Sequence, residues 1–157
     1  MQSQSIYFTN AFAQADIPNG EPVFLELTRD FKSDGGQHHV VLKLKKILYG
    51  QAEAARLWYE KLQNGSLERG FVMSKVDPCL FMYKTVICVL YMDDWIFWAR
   101  SQSEIDNVMK SFKEDGPSYN WEHSKGESVS DFFGIDIKTL DNGGFQFCQT
   151  GLSVIAP

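Results

Sequence analysis

Two neighbouring aspartates, Asp93 and Asp94, are the residues whose type and placement speak most directly of chemistry. They interrupt an apolar run over residues 86–99 that reads VICVLYMDDWIFWA. Adjacent carboxylates repel each other unless a cation neutralises them, and the cation that suits oxygen ligands is a hard divalent metal. The competing reading is a solvated surface turn, because Asp is a common turn residue and needs no partner there.

The elements that must position the pair follow from the pattern around it. Residues 86–91 and 95–99 are short and rich in β-branched and aromatic residues, which predicts two buried strands. Met92, Asp93 and Asp94 then form the turn of a β-hairpin. Upstream, residues 5–8 are a short strand candidate running into Asn10-Ala11-Phe12, and Pro18-Asn19-Gly20 ends whatever follows. Residues 22–27 and 39–44 predict strands separated by a polar loop with a turn signal at Asp34-Gly35-Gly36. Residues 51–69 predict a long helix with Leu57, Trp58 and Leu62 on one stripe. Gly65 costs that helix roughly 1 kcal/mol relative to Ala, so a kink or fraying is expected there. Residues 79–83 predict a strand beside the hairpin. Ser103 is an expected N-cap for a helix reaching about Glu114, with Ile105, Val108, Met109 and Phe112 on its apolar face. Residues 131–139 and 145–148 predict a second hairpin turning at residues 141–144. The order strand, helix, hairpin, helix, strand implies an α+β fold: a split βαβ antiparallel sheet with helices on one face, plus a C-terminal β-hairpin.

Composition narrows the function classes. A chain of 157 residues with 44% hydrophobic and 14% aromatic content can bury a core, which excludes a disordered tail. The net charge of -5 argues against a free nucleic-acid binder, which needs Lys and Arg on its phosphate-facing surface. Lys43, Lys45 and Lys46 are the densest basic cluster, read either as a track for a nucleic-acid backbone or as the decoration of an exposed strand edge. Cys79, Cys88 and Cys148 lack metal-ligand spacing and predict buried free thiols in a reducing compartment. His38 and His39 have no third ligand at useful spacing and read as solvated loop residues. Residues 1–20 lack the features of a secretory signal, and no apolar stretch reaches the roughly 20 residues needed to span a bilayer, so a soluble chain without a membrane partner is expected.

Tyr91-Met92-Asp93-Asp94 between apolar strands resembles the catalytic hairpin of reverse transcriptases, and the flanking segments resemble those of copia-type retrotransposons. The resemblance is carried by Asn10-Ala11-Phe12, Leu44-Lys45-Lys46, Leu48-Tyr49-Gly50 and Arg56-Leu57-Trp58-Tyr59. It continues with Gly70-Phe71, SKVDPCLFMY over residues 74–83, the hairpin, and Phe133-Gly134-Ile135-Asp136-Ile137. The order and spacing match across almost the whole chain. What this implies is the palm of an RNA-directed DNA polymerase with part of the fingers. Residues 131–148 would be a primer-grip-like hairpin, and the thumb and ribonuclease H would lie outside a single partial domain covering residues 1–157.

The resemblance also assigns roles. Asp93 and Asp94 are the catalytic and metal-binding acids, and three such acids in the family hold two Mg²⁺ ions for in-line transfer of a nucleotide. The position of the third acid is occupied here by Tyr7, a phenol with a pKa near 10 that is a poor ligand for a hard cation. Asp16 lies past a turn and is not expected to replace it. Phe12 is expected under the sugar of the incoming nucleotide, against the plainer alternative of a core residue. Tyr49, Gly50, Tyr91 and Met92 are expected to line the nucleotide pocket, and Phe133 and Gly134 to hold the primer. Glu53-Ala54-Ala55 departs from the family's Lys-Gln-Ala-Pro, so the nucleotide contacts made from that loop in the family do not carry over to these residues. The partners implied are an RNA or DNA template with its primer, deoxynucleotide triphosphates, and the integrase and ribonuclease H regions of a parent polyprotein, in cytoplasmic particles with access to the nucleus. The loss at Tyr7 predicts a copy that polymerises poorly. The alternatives are a non-catalytic nucleic-acid-binding module, which needs aromatics exposed on the sheet face for base stacking, and a structural remnant.

Overall fold

In the computed structural model, which describes residues 1–18, 20, 22–27, 41–114, 119–123, 131–132 and 135–149, the chain opens with β1 (Gln2–Phe8) and the single-turn α1 (Ala11–Gln14). There follow β2 (Phe24–Glu26), β3 (Val41–Lys43), α2 (Ala54–Glu68), β4 (Val72–Met73) and β5 (Leu80–Tyr83). Then come β6 (Val86–Tyr91), β7 (Asp94–Ala99), α3 (Gln102–Glu114), β8 (Trp121–His123), β9 (Asp131–Phe132), β10 (Ile135–Thr139) and β11 (Phe145–Cys148). The chain divides into two compact units, residues 1–9 with 64–157, and residues 10–63.

The first unit is organised on a six-stranded sheet in the order β4-β5-β6-β7-β1-β8, antiparallel at every pairing. Strands β1 and β6 both oppose β7, so they run parallel to each other with β7 between them. Alternation decides which side is core. Phe8, Leu90, Trp95 and Phe97 point to the face that packs on α3, where Trp95 meets Phe112 edge-on at 4.9 Å between ring centroids. On the opposite face Ile96 packs against Ile137 of a second sheet, ordered β11-β10-β9, with Trp98 and Phe145 around them. An apolar groove of about 400 Å³ runs between these sheets, lined by Ile87, Val89, Trp98, Ile135 and Phe147 among others.

Helix ends obey local chemistry. Gly70 takes φ 83, which only glycine adopts without strain, while Gly70 N–H donates to Leu67 O and Phe71 N–H donates back to Ser66 O, closing α2. Gly65 neither kinks nor frays the helix. A Cβ at Gly65 would collide with the Tyr119 hydroxyl, and Tyr119 is buried, so the glycine is there to let that ring approach. Helix α3 starts two residues earlier than an N-cap at Ser103 would place it. Its cap is the Ser101…Glu104 pair, in which Glu104 Oε2 accepts from Ser101 N–H at 3.0 Å, and Ser103 plays no capping part.

The second unit holds α1, the two-stranded β2–β3 ribbon and the beginning of α2. Its β strands are shorter than the sequence pattern predicts, and Val23, Phe24, Leu25, Val41 and Leu42 are exposed. Ile47 N–H donates to Ala15 O, and Lys46 bonds Asp16 at 2.5 Å, which fixes the segment after α1 against the segment after β3. Residues 131–139 are two strands, not one: β9 folds back to pair with β10. The β10–β11 turn forms as the sequence predicts, with Gly143 at φ 77 and Asn142 Oδ1 accepting from Gly144 N–H. Of the cysteines only Cys88 is buried, Cys79 and Cys148 being half-buried, and all three are free thiols. His38 and His39 lie outside the described residues.

Candidate functional site

The β6–β7 hairpin turns at Met92 and Asp93, with Met92 at φ 52, a left-handed conformation a non-glycine residue adopts at a cost. The expected three-residue turn is therefore one residue too long. Asp94 belongs to β7, because it has cross-strand partners on both sides: Tyr91 on β6 and Tyr7 on β1. The tip is tied to the end of β1 by Phe8 N–H donating to Asp93 O at 2.8 Å. Asp93, Asp94 and Tyr7 therefore lie together, with one carboxylate in the turn and its neighbour in the ladder.

Directly paired residues in a ladder share a face. Tyr7 also pairs with Glu122 on β8, so Tyr91, Asp94, Tyr7 and Glu122 form one row across four strands. The face is that opposite α3. Tyr7 and Tyr91 are 43% and 47% exposed, and the two phenols flank Asp94. Burial pushes the Asp94 carboxyl above the ordinary aspartate range, and the neighbouring Asp93 charge adds to the rise. Among the described residues no Lys or Arg pairs with either aspartate. Glu122 is the acid that sequence reasoning missed, since a three-residue strand far along the chain carries no local signal of which residue it will oppose.

Whether these residues fit a pair of divalent ions is decided by the donor set. Two hard ions need many oxygen ligands, and carboxylates supply most of the charge. Tyr7, opposite Asp94 on β1, offers a phenol and no carboxylate, and Glu122 lies a further strand away, about 9–10 Å from Asp94 along the row at ordinary strand spacing. Among the described residues no group of three or more His, Cys, Asp or Glu is placed to hold one ion. The set does not fit the paired-ion arrangement. Asp16, too, is otherwise occupied: Lys46 holds its carboxyl below the usual range.

In the second unit Phe12 and Tyr49 are brought together, their ring centroids 4.4 Å apart and tilted by 37°. Phe12 is buried and Tyr49 is half exposed, so Phe12 backs a ring that solvent reaches on its other side. Gly50, at φ 92, makes the turn that presents Tyr49. Lys46 and Lys61 both donate to Gln14 O, at 3.4 and 2.7 Å, and burial with the nearby Lys46 charge depresses the Lys61 ammonium below the usual lysine range. Phe133 and Gly134 lie outside the described residues.

The chain matches the family model of reverse transcriptase (RNA-dependent DNA polymerase) over residues 4–154. It is 30% identical over 138 residues to a retrovirus-related Pol polyprotein from transposon RE1 of Arabidopsis thaliana, which covers 85% of this chain and 9% of that protein. It is 27% identical to the corresponding polyprotein from transposon TNT 1-94 of Nicotiana tabacum, over 75% of this chain and 10% of that protein. A truncated transposon Ty1-A Gag-Pol polyprotein of Saccharomyces cerevisiae is 26% identical over 66% of this chain and 9% of its own length. The chain therefore spans about a tenth of the length of these relatives.

Proposed function

The chain belongs to the reverse transcriptase (RNA-dependent DNA polymerase) family, in its copia-type retrotransposon branch, and from that premise we propose that it is the palm region of such a polymerase with its nucleotidyl-transfer site impaired. One observation carries the proposal: Asp93 and Asp94 stand at the tip of a hairpin beside the end of β1, and the β1 residue opposite Asp94 is Tyr7. What supports the palm reading is an antiparallel sheet that holds a two-acid turn against a neighbouring strand end. It lacks one anion.

In this reading Asp93 and Asp94 carry the charge that the reaction centre uses, Tyr91 and Met92 present the turn, and the Phe12–Tyr49 pair with Gly50 shapes the nucleotide pocket. Phe133 and Gly134 hold the primer end. Magnesium binding is weakened because Tyr7 contributes no carboxylate. The domain acts on a primed RNA or DNA template with deoxynucleotide triphosphates, within a polyprotein that also supplies integrase and ribonuclease H regions, in cytoplasmic particles with access to the nucleus. The test is primer extension in magnesium by a full-length version of the polymerase, with Tyr7 and with Tyr7→Asp. Returning the anion raises extension by about 10²–10³-fold, the scale on which one preorganised electrostatic group acts. Equal and robust extension by both proteins would mean that β1 carries no catalytic position at all.

A second reading has its own observation. Tyr7 and Tyr91 are exposed on the sheet face opposite α3, and exposed sheet aromatics are what a single-strand-binding module stacks bases on. A duplex with a recessed 3′ end separates the two. Magnesium-dependent binding at the recess supports the polymerase remnant, whereas metal-independent binding of the single strand supports the module.

A further inference from the structure

A cavity of about 750 Å³ opens beside the β5–β6 turn, walled by the end of α2, the turn itself and one stripe of α3. The stripe is Glu104, Asn107, Val108 and Ser111, whose spacings of three, four and seven residues keep them on one helix face. Tyr91 stands five residues further along β6, about 16 Å at ordinary strand rise, so this cavity is separate from the hairpin tip. Its floor is apolar. Phe71, Val86 and Val108 are buried there, and Phe71 stacks on Tyr83 at 5.1 Å between centroids.

The polar groups on the walls divide into those already spent on the scaffold and those left over. Glu104 accepts from the Thr85 hydroxyl and from the N–H groups of Arg100 and Ser101, which pins the turn to α3. Arg69 donates from Nε to Ser111 O at 3.1 Å and from Nη1 to Gly65 O at 2.8 Å, which pins the end of α2 to the same helix. The side chains of Lys84, Glu68 and Asn107 make no hydrogen bond or ion pair with the described residues. Lys84 only lies over the Tyr83 ring, its Nζ 5.0 Å from the centroid. It also sits at φ 54, a conformation that costs a non-glycine residue, so a strained turn position carries an ammonium at the cavity wall. Two opposite charges therefore line one cavity without being paired to each other. A ligand that uses both has an anion, a cation and an apolar body between them, and a cleft of this volume takes a molecule larger than one amino acid.

We propose that this cavity binds a short peptide with free termini and apolar side chains, its carboxylate held by Lys84, its ammonium by Glu68, and its side chains on Phe71, Val86 and Val108. Asn107 supplies a donor and an acceptor for a peptide group in the middle. The proposal shares no residue with the hairpin tip and stands or falls apart from the polymerase reading.

The experiment titrates the whole chain with trileucine, N-acetyl-trileucine and trileucine amide, following backbone amide shifts in ¹⁵N–¹H correlation spectra. The expected result is saturable binding of trileucine with the largest shifts at Lys84, Thr85, Asn107 and Ser111, and about tenfold weaker binding when either terminus is blocked. Lys84→Ala weakens trileucine about tenfold and leaves the amide as it was. Glu68→Ala does the same to trileucine and leaves the acetylated peptide as it was. Asn107→Trp, at an exposed position where the new ring enters the cavity and not the core, abolishes binding of all three. Absence of saturable binding overturns the proposal. So does binding that neither terminal block nor Asn107→Trp changes, with shifts at Ile87, Trp98 and Phe147, since the peptide would then occupy the apolar groove between the sheets. Equal weakening of trileucine and its amide by Lys84→Ala overturns the pairing of Lys84 with the carboxylate.

Discussion

Strand β6 is entered and left through turns of the same make, and the two ends have opposite electrostatics. Lys84 before it and Met92 after it both sit in the left-handed region, at φ 54 and φ 52. Beside the first turn the acid is Glu104, whose carboxylate accepts from the Thr85 hydroxyl and from the backbone N–H groups of Arg100 and Ser101. Those donors hold it below the ordinary glutamate range. Beside the second turn the acid is Asp94, half-buried and next to another carboxylate, with its pKa moved upward. Donors were provided at one end and withheld at the other. A turn whose acid is satisfied is scaffolding, and one whose acid is left in deficit, at a strained residue, marks where chemistry or a ligand is accommodated.

The largest loss is expected in the core behind the acid-bearing end, where Phe8 carries the N–H that bonds Asp93 O. There the last turns of α2 lie against Tyr119, which is buried among Phe8, Phe112 and Arg69. In Gly65→Ala the new methyl meets the Tyr119 ring and the Arg69 guanidinium. Overpacking of this kind costs about 1–3 kcal/mol, against a helix-propensity gain of about 1 kcal/mol. Because the ring is enclosed, the cost wins: urea unfolding of Gly65→Ala shows a lower midpoint with an unchanged slope. An unchanged or higher midpoint in this variant would show that the Tyr119 ring yields to the methyl.

A smaller effect sharpens the contrast from both sides. Glu104→Ala removes the acceptor from two backbone donors and a hydroxyl, and it lowers the thermal midpoint by less than Gly65→Ala does. Asp94→Asn removes a charge that nothing in the described structure neutralises, and it leaves the midpoint unchanged or raises it. Comparable losses in both variants would show that Asp94 has a protein partner, and the difference between the ends would disappear.

How much of this was readable beforehand depends on how local the cause is. The hairpin was legible because alternation and two acids in an apolar run are local signals. Its turn was misplaced by one residue because Asp94 is claimed by Tyr7, 87 positions away in the chain, and no window around residue 94 contains that fact. Gly65 read as a weakness of α2 because its reason, the Tyr119 hydroxyl, lies beyond α3. Residues 131–139 looked like one strand since nothing in their pattern announces that β9 doubles back on β10. Ser103 is the wrong cap because Ser101-Gln102-Ser103-Glu104 carries the capping-box spacing two residues earlier, where Glu104 accepts from Ser101 N–H. Glu122 was invisible for the most basic reason: which residue a short strand sets opposite Tyr7 is a matter of register, and register is decided by the whole sheet.

The mildest test uses protons in place of mutations, and its force lies in the sign. Asp94 has its folded-state pKa raised, so between the unfolded and the folded values the folded chain binds more protons than the unfolded chain. Stability from this group falls as pH rises through that window, just above the ordinary aspartate range. Glu104 has its folded-state pKa lowered, so the unfolded chain binds more protons. Stability from this group is present above the unfolded glutamate value and is lost as pH falls through the folded one. The two ends of β6 therefore pull the acid limb of the stability curve in opposite directions. Urea midpoints measured across the carboxylate range should show Asp94→Asn deepening the acid loss and Glu104→Gln flattening it. If both substitutions moved the limb the same way, the pair of turns would share one electrostatic environment, and the hairpin tip would have no claim to be the chemically exceptional end of the sheet.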